Sequence, residues 1–181
     1  GGIFWWASNP IITSCTLEGN TAHKGSGGGI FCTGNSIITE CIITGNTCKY
    51  IGGGIYCYNS NATIIDTQMD NNLALSDGGG IYLYSCVIKI QGGALNSNVA
   101  GSSGAGIWVG HAGDGASLDA TDCTFFGNSA ISMDVATNFG GAICTIAGSS
   151  RFTSCDFEYN SAGFGGAFYT TINSNTTVDT C

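Results

Sequence analysis

Apolar and polar positions alternate here in short blocks, and one stretch shows the unit: Gly27 to Asn46, GGGIFCTGNSIITECIITGN. A glycine cluster runs into Ile30-Phe31-Cys32, and a polar corner follows at Thr33-Gly34-Asn35. A second apolar run spans Ile37 to Ile43 and ends at Gly45-Asn46. Both runs are rich in β-branched residues and too short and aperiodic for a helix, so the stretch predicts two short strands and two corners.

The block recurs along the whole chain. Ile3, Ile30, Ile55, Ile81, Ile107, Ile143 and Phe168 each follow Gly-Gly, Gly-Ala or Ala-Gly pairings, at spacings of 27, 25, 26, 26, 36 and 25. Later in each unit comes an apolar residue, two spacers and an asparagine: Asn20, Asn46, Asn72, Asn98, Asn128 and Asn160. In five of the six complete units this Asn lies 16 or 17 residues after the phasing residue, so two independent anchors hold one register. A period near 26 without helical patterning predicts a β-solenoid, each unit one coil whose strands pair in parallel with their copies in the next. The glycine corner is expected to need positive φ or close approach. The Asn corner is expected to use that residue's tolerance of the left-handed conformation, with its amides pairing along the axis.

These motifs, seen as GGAI at 140–143, FFGN at 125–128 and FEYN at 157–160, resemble the repeats of chlamydial polymorphic outer membrane proteins. More broadly the chain resembles the right-handed parallel β-helices of bacterial surface proteins and pectin-lyase-like proteins. The resemblance implies an all-β fold, a right-handed parallel β-helix of about seven coils over a single domain, residues 1–181. It speaks to fold more than function, since one β-helix scaffold carries adhesins, fibres and polysaccharide enzymes. Several units replace the motif Phe with Leu, Ile or Met, and the region forming an autotransporter's membrane barrel has no counterpart here. With Gly1 and Cys181 both partway through a coil, the chain is expected to be a section of a longer solenoid.

Phasing turns the sequence into columns along the axis. Phe4, Phe31, Tyr56, Tyr82, Trp108, Cys144 and Tyr169 follow the phasing residue, so this column points outward if the isoleucines point in. Two readings stand: corners or loops cover it, or its aromatics form an exposed stripe for a neighbouring chain or for sugar rings. Cys15, Cys41, Cys123, Cys155 and Cys181 share another column, Cys32 and Cys57 a third, and Cys48 stands where other coils carry Ala. Most thiols are expected to be buried and free. Any bridges would join adjacent coils, Cys15 to Cys41 or Cys32 to Cys57.

Composition narrows the function. Four basic residues against twelve acidic give net charge −8, which excludes the footprint of a nucleic-acid binder, and no apolar run reaches membrane-span length. No C-x-x-C pair suggests zinc and no cofactor is implied. The carboxylates are scattered, Glu18, Asp70 and Glu158 sharing one column and Asp66 lying nearby, so no catalytic set is apparent. The coil between Ile107 and Ile143 carries insertions, and a discrete site would be expected there, at His111, Asp114 and Asp134. Sequons at Asn61 and Asn175, with a weaker one at Asn46, are candidate glycan sites at corners should the protein pass through a eukaryotic secretory route. The expected role is a non-catalytic structural or adhesive protein, extracellular or on a cell surface. Its partners would be other copies or neighbouring segments of one fibre, with glycans a further class. A carbohydrate-binding module and a polysaccharide lyase or hydrolase are the alternatives.

Overall fold

The computed structural model describes residues 1–110, 115–132, 138–171 and 173–181. The short β-branched runs form strands, and each pairs in parallel with its copy one period away. Ile3–Trp5, Ile30–Gly34, Ile81–Tyr84, Ile107–Gly110, Ile143–Ile146 and Phe168–Thr170 stack as a first sheet, through the opening half of the long strand Ile55–Ile65. A second sheet runs from Ile11–Thr13 to Asn175–Asp179 through the closing half of that same strand. A third carries Thr16–Glu18, Ile42–Thr44, Gln68–Asp70, Ala94–Asn96, Thr124–Phe126 and Asp156–Glu158. A fourth, of two-residue strands, starts at Thr21–Ala22 and reaches Ser129–Ala130. The register is direct: Ile30 faces Ile55, Ile55 faces Ile81, Ile81 faces Ile107 and Ile107 faces Ile143.

Four sheets wound this way make a parallel β-helix of about six complete turns, rather than seven. The seventh pass contributes only Phe168–Thr170 and Asn175–Asp179, to the first two sheets.

One face of every strand points in. Ile30, Ile55, Ile81, Ile107 and Ile143 stack with the rows through Ile38 and Ile64, and through Ile43, Met69, Leu95 and Phe125, in one continuous core. Each such side chain contributes about 1.5–3 kcal/mol by leaving water, and only stacking between coils achieves it. Cys48 lies fully buried beside Ala22 and Ala74, the small-residue role its column predicted.

The corners use positive φ. Gly27, Gly52, Gly78, Gly104, Gly140 and Gly165 precede the phasing residue by three and all adopt it, as the glycine-rich motif predicts. The motif Asn does not. The left-handed residue is the one before it, Gly19, Gly45, Asn71, Ser97, Gly127 or Tyr159. That turn delivers the Asn side chain to the interior, so the Asn recurs for the hydrogen bonds it makes there.

Candidate functional site

Those hydrogen bonds form an uninterrupted amide ladder. Asn20 Nδ2 donates to Asn46 Oδ1 at 3.0 Å, Asn46 to Asn72 at 3.1 Å, Asn72 to Asn98 at 3.0 Å, Asn98 to Asn128 at 3.0 Å and Asn128 to Asn160 at 2.9 Å. Each Oδ1 also accepts the backbone N–H of the preceding coil's Asn, as Asn72 does from Asn46 at 3.0 Å. The second Nδ2 proton goes to a backbone carbonyl, Ile43 O for Asn72 at 2.8 Å and Met69 O for Asn98 at 2.8 Å. Asn72 and Asn98 thus spend both protons and fill their Oδ1 while fully buried, which burial of a polar group demands. This closes the sequon at Asn46, whose amide is committed to the ladder.

The other two sequons are open. Asn61 and Asn175 are exposed, but both lie in strands rather than at a corner. Asn61 is within Ile55–Ile65, which turns at Asn59 (φ 46°) without breaking, and Asn175 opens Asn175–Asp179.

Outside the first sheet, the aromatic row points away from the core as alternation requires. Its rings mostly cover one another. Phe4 stacks on Phe31 with centroids 4.6 Å apart, Phe31 meets Tyr56 edge-on at 5.0 Å, Tyr56 meets Tyr82 at 5.6 Å, and Tyr82 stacks on Trp108 at 4.2 Å and 2°. Phe4 is 66% exposed, whereas Tyr82 keeps 8% and Cys144, its counterpart two coils on, is buried. Desolvation pushes the Tyr56 hydroxyl up to about 12. Tyr169 is half-buried and stacks at 4.3 Å on Phe139, which stands four residues before Ile143 at the glycine corner. An open platform along the whole row is therefore corrected to a self-stacked ladder, open at Phe4 and at Trp6 beside it.

The ten cysteines are free thiols, eight of them buried, with Cys15 and Cys181 exposed. In the Cys15 column the thiol donates to the carbonyl two residues earlier: Cys41 to Thr39 O at 3.2 Å, Cys123 to Thr121 O at 3.2 Å. Thr67 does the same through its hydroxyl at 3.0 Å and Gly93 fills the place with no side chain, so the column calls for a small residue rather than for sulfur chemistry. Cys32 and Cys57 come closest, with Sγ atoms 3.2 Å apart in the core. The hydrogen bond between them lowers the pKa of Cys32 and raises that of Cys57.

The proposed loop residues His111, Asp114 and Asp134 lie outside the described residues. The structure instead assembles a charged row that the sequence reading overlooked. On the outer face of the second sheet Lys89 stands in register with Asp119, and Asp119 with Arg151, in adjacent coils, all three exposed. Each stands nine residues before its motif Asn, so the phasing already contained the column. Open notches of about 310 Å³ and 270 Å³ flank Asp119 on either side. Among the described residues no group of His, Cys, Asp and Glu is placed to hold a metal, and no helix is long and apolar enough to cross a membrane.

Comparison with known proteins agrees with this geometry. The family described as right handed beta helix region matches residues 1–138, and the Chlamydia polymorphic membrane protein repeat matches residues 154–171. No curated protein and no solved structure was found to match the chain. A coil period near 26, parallel registers in all four sheets and a match over residues 1–138 lead to one conclusion: the chain belongs to the right-handed β-helix family.

Proposed function

We propose that the chain is a non-catalytic segment of a surface-displayed stalk or fibre, a rod that holds its outer rows at fixed spacing. The observation that carries this reading is the Asn ladder. It fixes the relative position of six successive coils with buried, satisfied hydrogen bonds, and so resists bending and slippage between coils. The outer face of the second sheet mixes Thr, Ser and Asn with exposed Ile11, Ile37 and Val87 and the Lys89–Asp119–Arg151 row, a surface open to contacts with neighbouring segments. The matched repeat takes its name from a membrane protein of Chlamydia, which favours a place at the cell surface. Neighbouring segments of the same fibre are the expected partners. The test is immunolabelling of the intact cells that make the protein, with antibody to the purified chain. Labelling without permeabilisation is expected; labelling only after permeabilisation contradicts the reading.

A second reading, a polysaccharide-acting enzyme, has the Lys89–Asp119–Arg151 row in its favour. It places a carboxylate between two cations beside open notches. It predicts chain shortening of an acidic polysaccharide, lost in Asp119→Asn. On the stalk reading, incubation with such a polymer releases no new ends.

A further inference from the structure

The row beside the aromatic ladder carries rings in three of its first four coils and none in the Gly110 and Ile146 coils beyond, and the gap among the first four has a shape. Trp6, Thr33, Tyr58 and Tyr84 each stand three beyond the phasing residue in four successive coils. The register slips after Cys32, which faces Cys57 while Gly34 faces Ser60, so the second coil is one residue short here. Trp6 lies within 13° of the Phe31 ring plane, and Tyr58 within 12° of Tyr84. Between them the second coil offers only Thr33 and Gly34. The result is a notch of about 320 Å³ lined by Trp6, Ala7, Thr33, Gly34, Tyr58 and Asn59.

We propose that this notch is a binding subsite for one pyranose ring of a neutral glycan, held between Trp6 and Tyr58. The backbones that carry the two walls are two coils apart, about 9.6 Å at about 4.8 Å per coil. Two stacking contacts of about 4.5–5 Å each span that distance, so one flat ring with apolar C–H faces fills it. The floor is built to stay low. Gly34 has φ 96°, and a Cβ there would collide with the Ser8 carbonyl, so the position admits no side chain. Thr33 Oγ1 accepts the Ala7 N–H at 2.6 Å, which ties the Trp6 corner to the second coil and leaves the Thr33 hydroxyl proton to donate. The exposed Asn59 adds amide donors and an acceptor at the rim for ring hydroxyls. No Lys or Arg lines the notch, and the chain carries net charge −8, so the ligand is uncharged. Trp6 is 64% exposed, which leaves a ring face for the sugar to cover.

The test uses the purified chain and three neutral probes, cellohexaose, mannohexaose and chitohexaose, with oligogalacturonate as the acidic comparison and tryptophan fluorescence and calorimetry as readouts. Saturable binding of at least one probe below about 10 mM is expected, weakened about tenfold or more in Trp6→Ala and in Tyr58→Ala. Thr33→Tyr, which puts a ring where Thr33 lines the notch, should abolish binding while the far-UV spectrum and urea midpoint show a folded chain. Phe126→Ala, at an exposed aromatic on the third sheet, should bind as the parent does. The proposal is overturned by no saturable binding of any probe, or by binding that survives Thr33→Tyr. Binding confined to oligogalacturonate and lost in Arg151→Ala also overturns it, and assigns glycan recognition to the charged row instead.

Discussion

Asn72 shows what one residue does in this fold. Removing its side chain strands the Asn46 N–H and Nδ2, both of which donate to its Oδ1, inside the core. At about 1–3 kcal/mol for each buried group left unpaired, Asn72→Ala should lose about 2–6 kcal/mol in urea unfolding, against less than about 0.5 kcal/mol for the exposed Asn61→Ala. The corners make a second comparison. Gly45 has positive φ, but its Cβ direction is open, and equivalent coils carry Asn71, Ser97 and Tyr159. Gly52 has positive φ and a Cβ direction blocked by the Ile55 carbonyl and Tyr56, and its column is glycine in all six coils. Gly45→Ala should therefore cost about 1–2 kcal/mol, the ordinary left-handed penalty, and Gly52→Ala clearly more, in the same measurement. Asp70 gives a pH signature. Burial raises its carboxyl above the ordinary value, opposed in part by hydrogen bonds involving Asn96. The folded chain thus holds that proton more tightly than the unfolded one, and this group's contribution to stability falls as pH rises through the carboxylate range. Asp70→Asn should raise the urea midpoint at pH 7, with the gain shrinking as the solution is acidified below the folded value.

At the scale of strands and corners, most of the architecture was legible because each column repeats a physical requirement. The isoleucine row, the glycine corner and the amide ladder each recur often enough to be read through local exceptions such as Thr67 in a cysteine column. Which corner residue is left-handed was not legible, since Gly, Asn, Ser and Tyr all fill it and the motif Asn next door is the more constant. The covering of Tyr82 and Cys144 was not legible either. It depends on how each ring lies on its neighbours in the adjacent coils, as Tyr82 lies on Trp108, which a column of residue types does not encode. The charged row was readable and missed, because Lys89, Asp119 and Arg151 share a place but not a type. The thiols test the element-scale packing. Ellman's reagent should modify Cys15 and Cys181 promptly in the native protein and the other eight only on unfolding. Prompt reaction of the core thiols would mean the coils are not closed, and six late thiols instead of eight would reveal a Cys32–Cys57 bridge.

For the whole molecule, the central claim is that one register persists from the first coil to the last. Coil after coil the second-sheet strands superpose, Ile11 on Ile37, Ile37 on Thr63, Thr63 on Lys89 and so on to Thr177. Such a stack has a length set only by the number of turns. The two exposed thiols measure it without mutation, since Cys15 and Cys181 stand in one column, six coil steps apart. Spin labels on this pair, read by double electron–electron resonance, should give one narrow distance distribution. It should be centred where a Cα separation of about 29 Å, six rises of about 4.8 Å, places the two nitroxides. A broad distribution, or a centre displaced by one or more coil rises, would contradict the single-register β-helix.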